Sequence, residues 1–145
     1  MRAVVQRVSN ATVTVGSQLV GQIDWGLLIY LGVYRDDESR DVAILANKIP
    51  KLRIFEDAEG KMNKAVASQG SQVLVISQFT LCADLNKGNR PSFNPAAPPE
   101  KANALYEEFV AMLRAKDLFV ATGAFGKVMQ VNYTNEGPVT LVVES

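Results

Sequence analysis

The chain has 145 residues, 48% hydrophobic and 21% charged, with 15 basic and 15 acidic side chains and no histidine. That length fits a single domain, and a net charge of zero argues against holding nucleic acid by coating its phosphates, though not against gripping an RNA end. The missing histidine and the lone Cys82 exclude Ser-His, Cys-His and histidine-ligated metal chemistry within the chain, as well as an internal disulfide or multi-cysteine zinc site.

Residues 2–15 alternate apolar and polar, which predicts one long or bent strand with a break near Ser9-Asn10. Arg7 is a charge inside that strand. It reads either as a snorkelling edge residue or as a guanidinium whose fork of donors clamps nearby carbonyls. Gly16-Ser17 signals a turn, so Gln18 to Asp24 returns as a hairpin. Leu27 to Val33 is a central, buried strand. Tyr30 and Gly32 interrupt it, and it is far too short to cross a bilayer, so no membrane association is expected. The first residues lack the basic-then-apolar layout of a signal peptide, so the expected compartment is the cytoplasm.

Asp36-Asp37-Glu38-Ser39 opens a helix with acidic residues at its positive end. Val42, Leu45, Ala46 and Ile49 form its apolar stripe, and Pro50 ends it. Leu52-Arg53-Ile54-Phe55 reads as a short strand, followed by a turn over 56–60. Val73-Leu74-Val75-Ile76 is another buried strand. Pro98-Pro99 starts a second helix, whose Ala102, Leu105, Tyr106, Phe109, Met112 and Leu113 face a core, and which stops near Lys116-Asp117. Leu118 to Gly123 leads into Phe125-Gly126-Lys127, and Val128 to Tyr133 reads as a strand. Asn135 to Thr140 reads as a loop before a terminal strand at Leu141-Val142-Val143, and its Gly-Pro bond is trans on the plain reading. Some eight strands and two helices leave too little helix to cover both faces of one sheet. The expected fold is therefore mixed α/β, with two facing, barrel-like β-sheets and helices on one outer side, layered β/β/α over residues 1–145.

The stretch that stands out is Ser77-Gln78-Phe79-Thr80-Leu81-Cys82-Ala83. Polar residues at the end of a rigid strand either line a pocket or satisfy nearby backbone groups, and the pattern alone leaves both open. Cys82 falls in the apolar phase of the strand and reads as a small buried hydrophobe. Lys48, Lys51, Arg53, Lys61 and Lys64 form one basic cluster, and Lys87 with Arg90 another. Both read as solvated faces or as contacts for an acidic partner.

Two motifs together resemble a known family. Ser77 to Ala83 is similar to the SQFTLxA motif of D-aminoacyl-tRNA deacylases, and Asn135-Glu136-Gly137-Pro138-Val139-Thr140 resembles their NxGPVT motif. Further blocks match in order: Met1 to Val8, Gly26-Leu27-Leu28, Leu52 to Phe55 with Gly60 to Asn63, Lys87 to Phe93, and Thr122 to Gly126. The resemblance implies hydrolysis of the ester between a D-amino acid and the 3′ end of tRNA. No cofactor is expected, and no cluster of ligating residues suggests a metal. It also implies a homodimer whose active sites lie at the subunit interface. Gly137 and Pro138, joined by a cis bond, would reach into the partner's pocket as a chirality filter held in place by Arg7. Glycine brings no side chain, so the backbone can approach the substrate's α-carbon and an L side chain meets that wall. Glycyl-tRNA, as when tRNA-Ala is mischarged, should then pass as a second substrate. Phe125 and Met129 match pocket positions, and Phe125 could stack on the terminal adenine. Glu136 stands where the family usually has Asp, and Lys127-Val128 where a small or acidic pair is more common.

Ser77, Gln78, Phe79 and Thr80 are the catalytic candidates. In one mechanism Thr80 is a nucleophile and Gln78 stabilises the oxyanion. In the other the tRNA's own 2′-hydroxyl activates water or assists the leaving group, while backbone donors around Phe79 and Thr80 hold the ester. The second needs no histidine. Three rival functions are a non-catalytic module that binds RNA 3′ ends, separable by turnover; a hydrolase of D-peptides or simple esters, separable by its indifference to tRNA; and a purely structural dimer, against which the clustered polar residues at the strand end argue.

Overall fold

A computed structural model describes residues 1–86 and 88–145, with the backbone alone for Gln69; Lys87, part of one basic cluster and one matching block, lies outside the described residues. The fold is organised around strand β1 (Arg2–Val15). Its first half pairs with β3 (Gly26–Gly32) and its second with the hairpin return β2 (Gln18–Ile23). Along its other edge runs β8 (Gln130–Glu144). The pairing with β8 slips on either side of Val8, where the sequence breaks at Ser9-Asn10. A bulge adds one residue and reverses which side chains face in. Ala3 and Val5 therefore belong to one core and Val8, Ala11 and Val13 to the other.

Beyond β3 the sheet continues in parallel through β6 (Gln72–Ser77) to β7 (Val120–Thr122). It then curls until β2 approaches β7: a Cβ on Gly21 would run into the Thr122 carbonyl. The result is one nearly closed, barrel-like sheet whose two halves face each other across Val13, Ile23, Leu28, Leu74 and Ile76. The opposite face, with Val5, Leu27, Ile29 and Val75, is covered by α1 (Ser39–Lys48) and α2 (Pro99–Arg114) through Leu45, Phe109 and Leu113. Each large side chain buried there contributes roughly 1.5–3 kcal/mol. Among the described residues no helix is long and apolar enough to cross a membrane.

Three local expectations change. Only Phe55–Glu56 (β4) forms a ladder, with Met62–Lys64 (β5), instead of Leu52 to Phe55. Pro50 lies in a 3₁₀ turn at Ile49–Lys51, and the Ile54 carbonyl is taken by the Arg7 guanidinium at 2.7 Å. Second, Cys82 lies on a 3₁₀ turn, Phe79–Cys82, because the β6 ladder ends where Ser77 pairs with Leu31. Third, the two strands expected around the Gly-Pro loop are one strand. Asn135 pairs with Val8 and Thr140 with Gln6, so Glu136 to Val139 bulge out opposite Arg7 alone. The Gly137-Pro138 bond is cis, as the family resemblance implied and contrary to the plain trans reading.

Candidate active site

The motif after β6 is held against β3 by its backbone. Gln78 N–H donates to the Leu31 carbonyl at 2.8 Å, and the chain then winds into the 3₁₀ turn. This close approach requires Gly32: a Cβ there would sit 3.0 Å from Leu81 Cβ and 3.1 Å from both Cys82 Sγ and the Gln78 carbonyl oxygen. From the other side Arg2 Nη1 donates to the Leu81 carbonyl at 3.1 Å. The first N–H groups of a helical turn have no partner within it. Those of Phe79 and Thr80 find no other protein acceptor among the described residues. Beneath the turn, burial pushes the Cys82 thiol up to about 11, so it is protonated and inert at neutral pH.

Ser77, Gln78 and Phe79 line a cavity of about 700 Å³ with Phe125 and Met129. Phe79 meets Phe93 edge-on with ring centroids 5.0 Å apart. Phe125 leans on Tyr106, whose hydroxyl donates to the Val75 carbonyl at 2.9 Å and ties that wall to β6. Met129 fills the space that a side chain on Gly123 would need, and its Sδ accepts the Ala124 N–H at 3.3 Å. Thr80 faces a shallower neighbouring hollow, lined also by Gln6, Tyr30 and Tyr133, and Gln78 belongs to both. The Gln78 side-chain amide donates to the Thr80 hydroxyl. No base accepts that hydroxyl's proton among the described residues. Sequence reasoning missed Arg35 and Phe93, which also line the large cavity. The signals for Phe93 were a large apolar residue in a turn-rich loop and its place at the end of the matching block Lys87 to Phe93, neither of which assigns it to a cavity.

Gly137, Pro138 and Arg7 line neither cavity. Arg7 pairs with Leu27 across the sheet, whereas Ser77 pairs with Leu31. Strand geometry puts the Gly-Pro loop roughly 15–20 Å from the Ser77–Thr80 motif of the same chain. Arg7 is only 6% exposed on a central strand, which removes the snorkelling reading. Its Nη1 binds Ile54, while Glu56 lies 3.8 Å and Glu136 3.9 Å from other guanidinium nitrogens. Glu136 also accepts the Trp25 indole N–H at 3.0 Å. Val139 N–H donates to the Asn135 side chain at 3.3 Å, and Thr140 accepts from Asn135 at 2.9 Å. Arg7 thus lies between the Glu136 carboxylate of the loop and the Ile54 carbonyl of the neighbouring segment.

The sequence model of the family described as D-Tyr-tRNA(Tyr) deacylase matches residues 4–144. The chain belongs to this family. A D-aminoacyl-tRNA deacylase of Anaeromyxobacter dehalogenans is 59% identical, covering 100% of this chain and 97% of that protein. One of Brevibacillus brevis is 54% identical over the whole of both. A solved structure titled c-Myc DNA Unwinding Element Binding Protein superposes with a TM-score of 0.94 at 41% identity, covering 100% of this chain and 99% of that one. A probable eukaryotic D-amino acid tRNA deacylase, 16% identical with a TM-score of 0.85 over 99% and 98% of the two chains, shares the fold. Family membership carries D-aminoacyl-tRNA deacylase activity, a hydrolysis.

Proposed function

We propose that the ester of D-aminoacyl-tRNA is cleaved at the mouth of the large cavity, in a homodimer in which each chain supplies the filter loop for the other's site. The observation that carries the chemistry is the pair of unpartnered N–H groups at Phe79 and Thr80. Two adjacent fixed donors suit the oxyanion that forms when water attacks the ester carbonyl, because they need no reorganisation as charge develops. The terminal adenosine lies in the cavity, its base against Phe125. The tRNA 2′-hydroxyl assists the attacking water or the departing 3′-oxygen. Thr80 as nucleophile is disfavoured: its hydroxyl receives a hydrogen bond from Gln78 rather than giving its proton to a base.

The cross-subunit arrangement is supported by distance. Gly137 lies too far from its own chain's motif to touch a shared substrate, so a second copy must bring it. Gly137 has φ of +119° and no side chain, which lets backbone stand where an L side chain would go. D side chains and glycine pass, so glycyl-tRNA is cleaved as well. The test is release of labelled amino acid from D-tyrosyl-, L-tyrosyl- and glycyl-tRNA by catalytic amounts of protein. Rapid loss of the D and glycyl esters with the L ester intact is expected. Equal hydrolysis of D and L removes the filter, and single-turnover release or none removes catalysis.

A further inference from the structure

We propose that the mouth of the large cavity holds a phosphate subsite, formed by Arg35 and Lys127, for the phosphodiester on the 5′ side of the terminal nucleoside. Among the described residues lining the cavity, only these two have ionisable side chains, and both are cationic. They come from distant parts of the chain: Arg35 follows β3, and Lys127 precedes β8. Neither is in an ion pair among the described residues. Arg35 spends one guanidinium donor on the Asn94 carbonyl at 3.0 Å, which orients it and leaves its other donors unused. Lys101 Nζ donates to the Arg35 carbonyl at 2.7 Å and puts a third cation on that side.

The rest of the wall is apolar and aromatic, with Phe79, Phe93 and Phe125 available to a base. An apolar pocket with two uncompensated cations at its opening, and no lining carboxylate, fits a nucleoside continued by a phosphate. A free nucleoside or a neutral ester would leave both cations unused. Such contacts set register without reading sequence. Here the phosphate would fix how deeply the nucleotide enters, and so where its ester lies relative to Phe79 and Thr80. This also accounts for a chain of zero net charge acting on RNA, because the useful positive charge sits at one opening. Lys127, a departure from the family pattern, is the more informative of the pair.

The inference rests on the reading that the cavity takes the terminal nucleoside. Calorimetric titration with the trinucleotide cytidylyl-cytidylyl-adenosine and with adenosine tests it. The intact protein should bind the trinucleotide at least about tenfold more tightly. The Arg35→Gln/Lys127→Gln double variant should lose about tenfold of that affinity, with a salt dependence shallower by about one per cation removed. Its adenosine affinity should change by less than about twofold, and Lys127→Arg should retain trinucleotide binding. Both side chains are exposed, so the variants should fold. Equal binding of the two ligands by the intact protein, binding of neither, or equal loss of both in the double variant overturns the subsite. Turnover of D-tyrosyl-tRNA on the same preparations separates the two ideas. Turnover without trinucleotide preference sinks the subsite alone, and preference without turnover sinks the deacylation chemistry alone.

Discussion

Gly32→Ala probes how the active-site turn is placed without touching any group proposed to meet substrate. The new Cβ would lie 3.0 Å from Leu81 Cβ and 3.1 Å from Cys82 Sγ and the Gln78 carbonyl oxygen. Carbon atoms pack at about 3.5–4.0 Å, so the turn must give by a few tenths of an ångström, up to roughly 0.5 Å. Overpacking costs about 1–3 kcal/mol, partly offset by the roughly 0.5–1 kcal/mol that glycine forfeits in a strand. The protein should stay folded, with an unfolding temperature lower by a few degrees. The rate should suffer more. Two of the three crowded atoms belong to Gln78 and Leu81, which bracket the N–H donors of Phe79 and Thr80. A misplacement of about 1 Å costs on the order of 10²-fold, so kcat on D-tyrosyl-tRNA should fall about 10- to 100-fold. Thermal unfolding and multiple-turnover kinetics on one preparation check this. A folded variant with kcat within about twofold of the parent would refute the claim that these donors set the rate.

Thr80→Ala should lower kcat by less than about tenfold, whereas D-tyrosyl-tRNA ending in 2′-deoxyadenosine should lose about 10²- to 10⁴-fold; the reverse pattern would reinstate Thr80 as nucleophile. Gly137→Ala puts a Cβ 2.9 Å from Val139 Cγ2 and 3.2 Å from Arg7 Nη2, at a φ of +119° that L residues rarely adopt. It should cost about 1–3 kcal/mol of stability and slow D-tyrosyl-tRNA turnover more than tenfold (~1.4 kcal/mol), read by denaturant melts and initial rates. If sites are composite, dimers mixed from Gly32→Ala and Gly137→Ala chains contain one site with both parts intact, so refolding the variants together should restore activity that neither has alone. Absence of restoration, with mixed dimers demonstrated, would place the filter in its own chain's site. The Cys82 thiol ordinarily ionises near 9.0 and is held up to about 11 by burial. The unfolded chain then loses its proton first, so stability should fall as pH rises from about 9 to 11. Urea midpoints across that range should fall less steeply for Cys82→Ala than for the parent.

Much of the fold could be read from local pattern, because burial dictates periodicity. The alternation of β1, the apolar run of β6 and the stripe of α2 each report a face. What escaped was decided by single side chains acting across the fold. The Arg7 guanidinium takes the Ile54 carbonyl, and no pattern within Leu52 to Phe55 announces that the ladder will begin only at Phe55. Gly32 looks like an interruption of a strand, yet its missing side chain lets the chain turn at Ser77 and carries Cys82 off the ladder. The cavity gained Phe93 and Arg35 from segments that meet through Arg35 N–H donating to the Pro95 carbonyl at 2.8 Å, a contact between residues sixty apart.

The two motifs differ in how they could be read at all. Ser77 to Thr80 has chemistry visible in its own residues, because polar side chains where a buried strand ends require an explanation within the same chain. Gly137-Pro138 has none: in one chain it is a bulge opposite Arg7 that lines neither cavity, within one continuous strand and with a cis bond where the plain reading expects a loop and a trans bond. Yet the anchoring is elaborate for a bulge. The Arg7 guanidinium lies 3.9 Å from the Glu136 carboxylate, the Trp25 indole donates to that carboxylate and the Asn135 side chain accepts the Val139 N–H, so three contacts converge on residues 136–139. Burying an arginine to position a surface loop is costly, since each desolvated charge forfeits several kcal/mol of hydration unless well paired. Arg7 Nε has no hydrogen-bond partner among the described residues, although the Glu136 carboxylate lies 3.9 Å from it. On the proposed cross-subunit reading, what offsets that cost is the loop's action in the other chain's site.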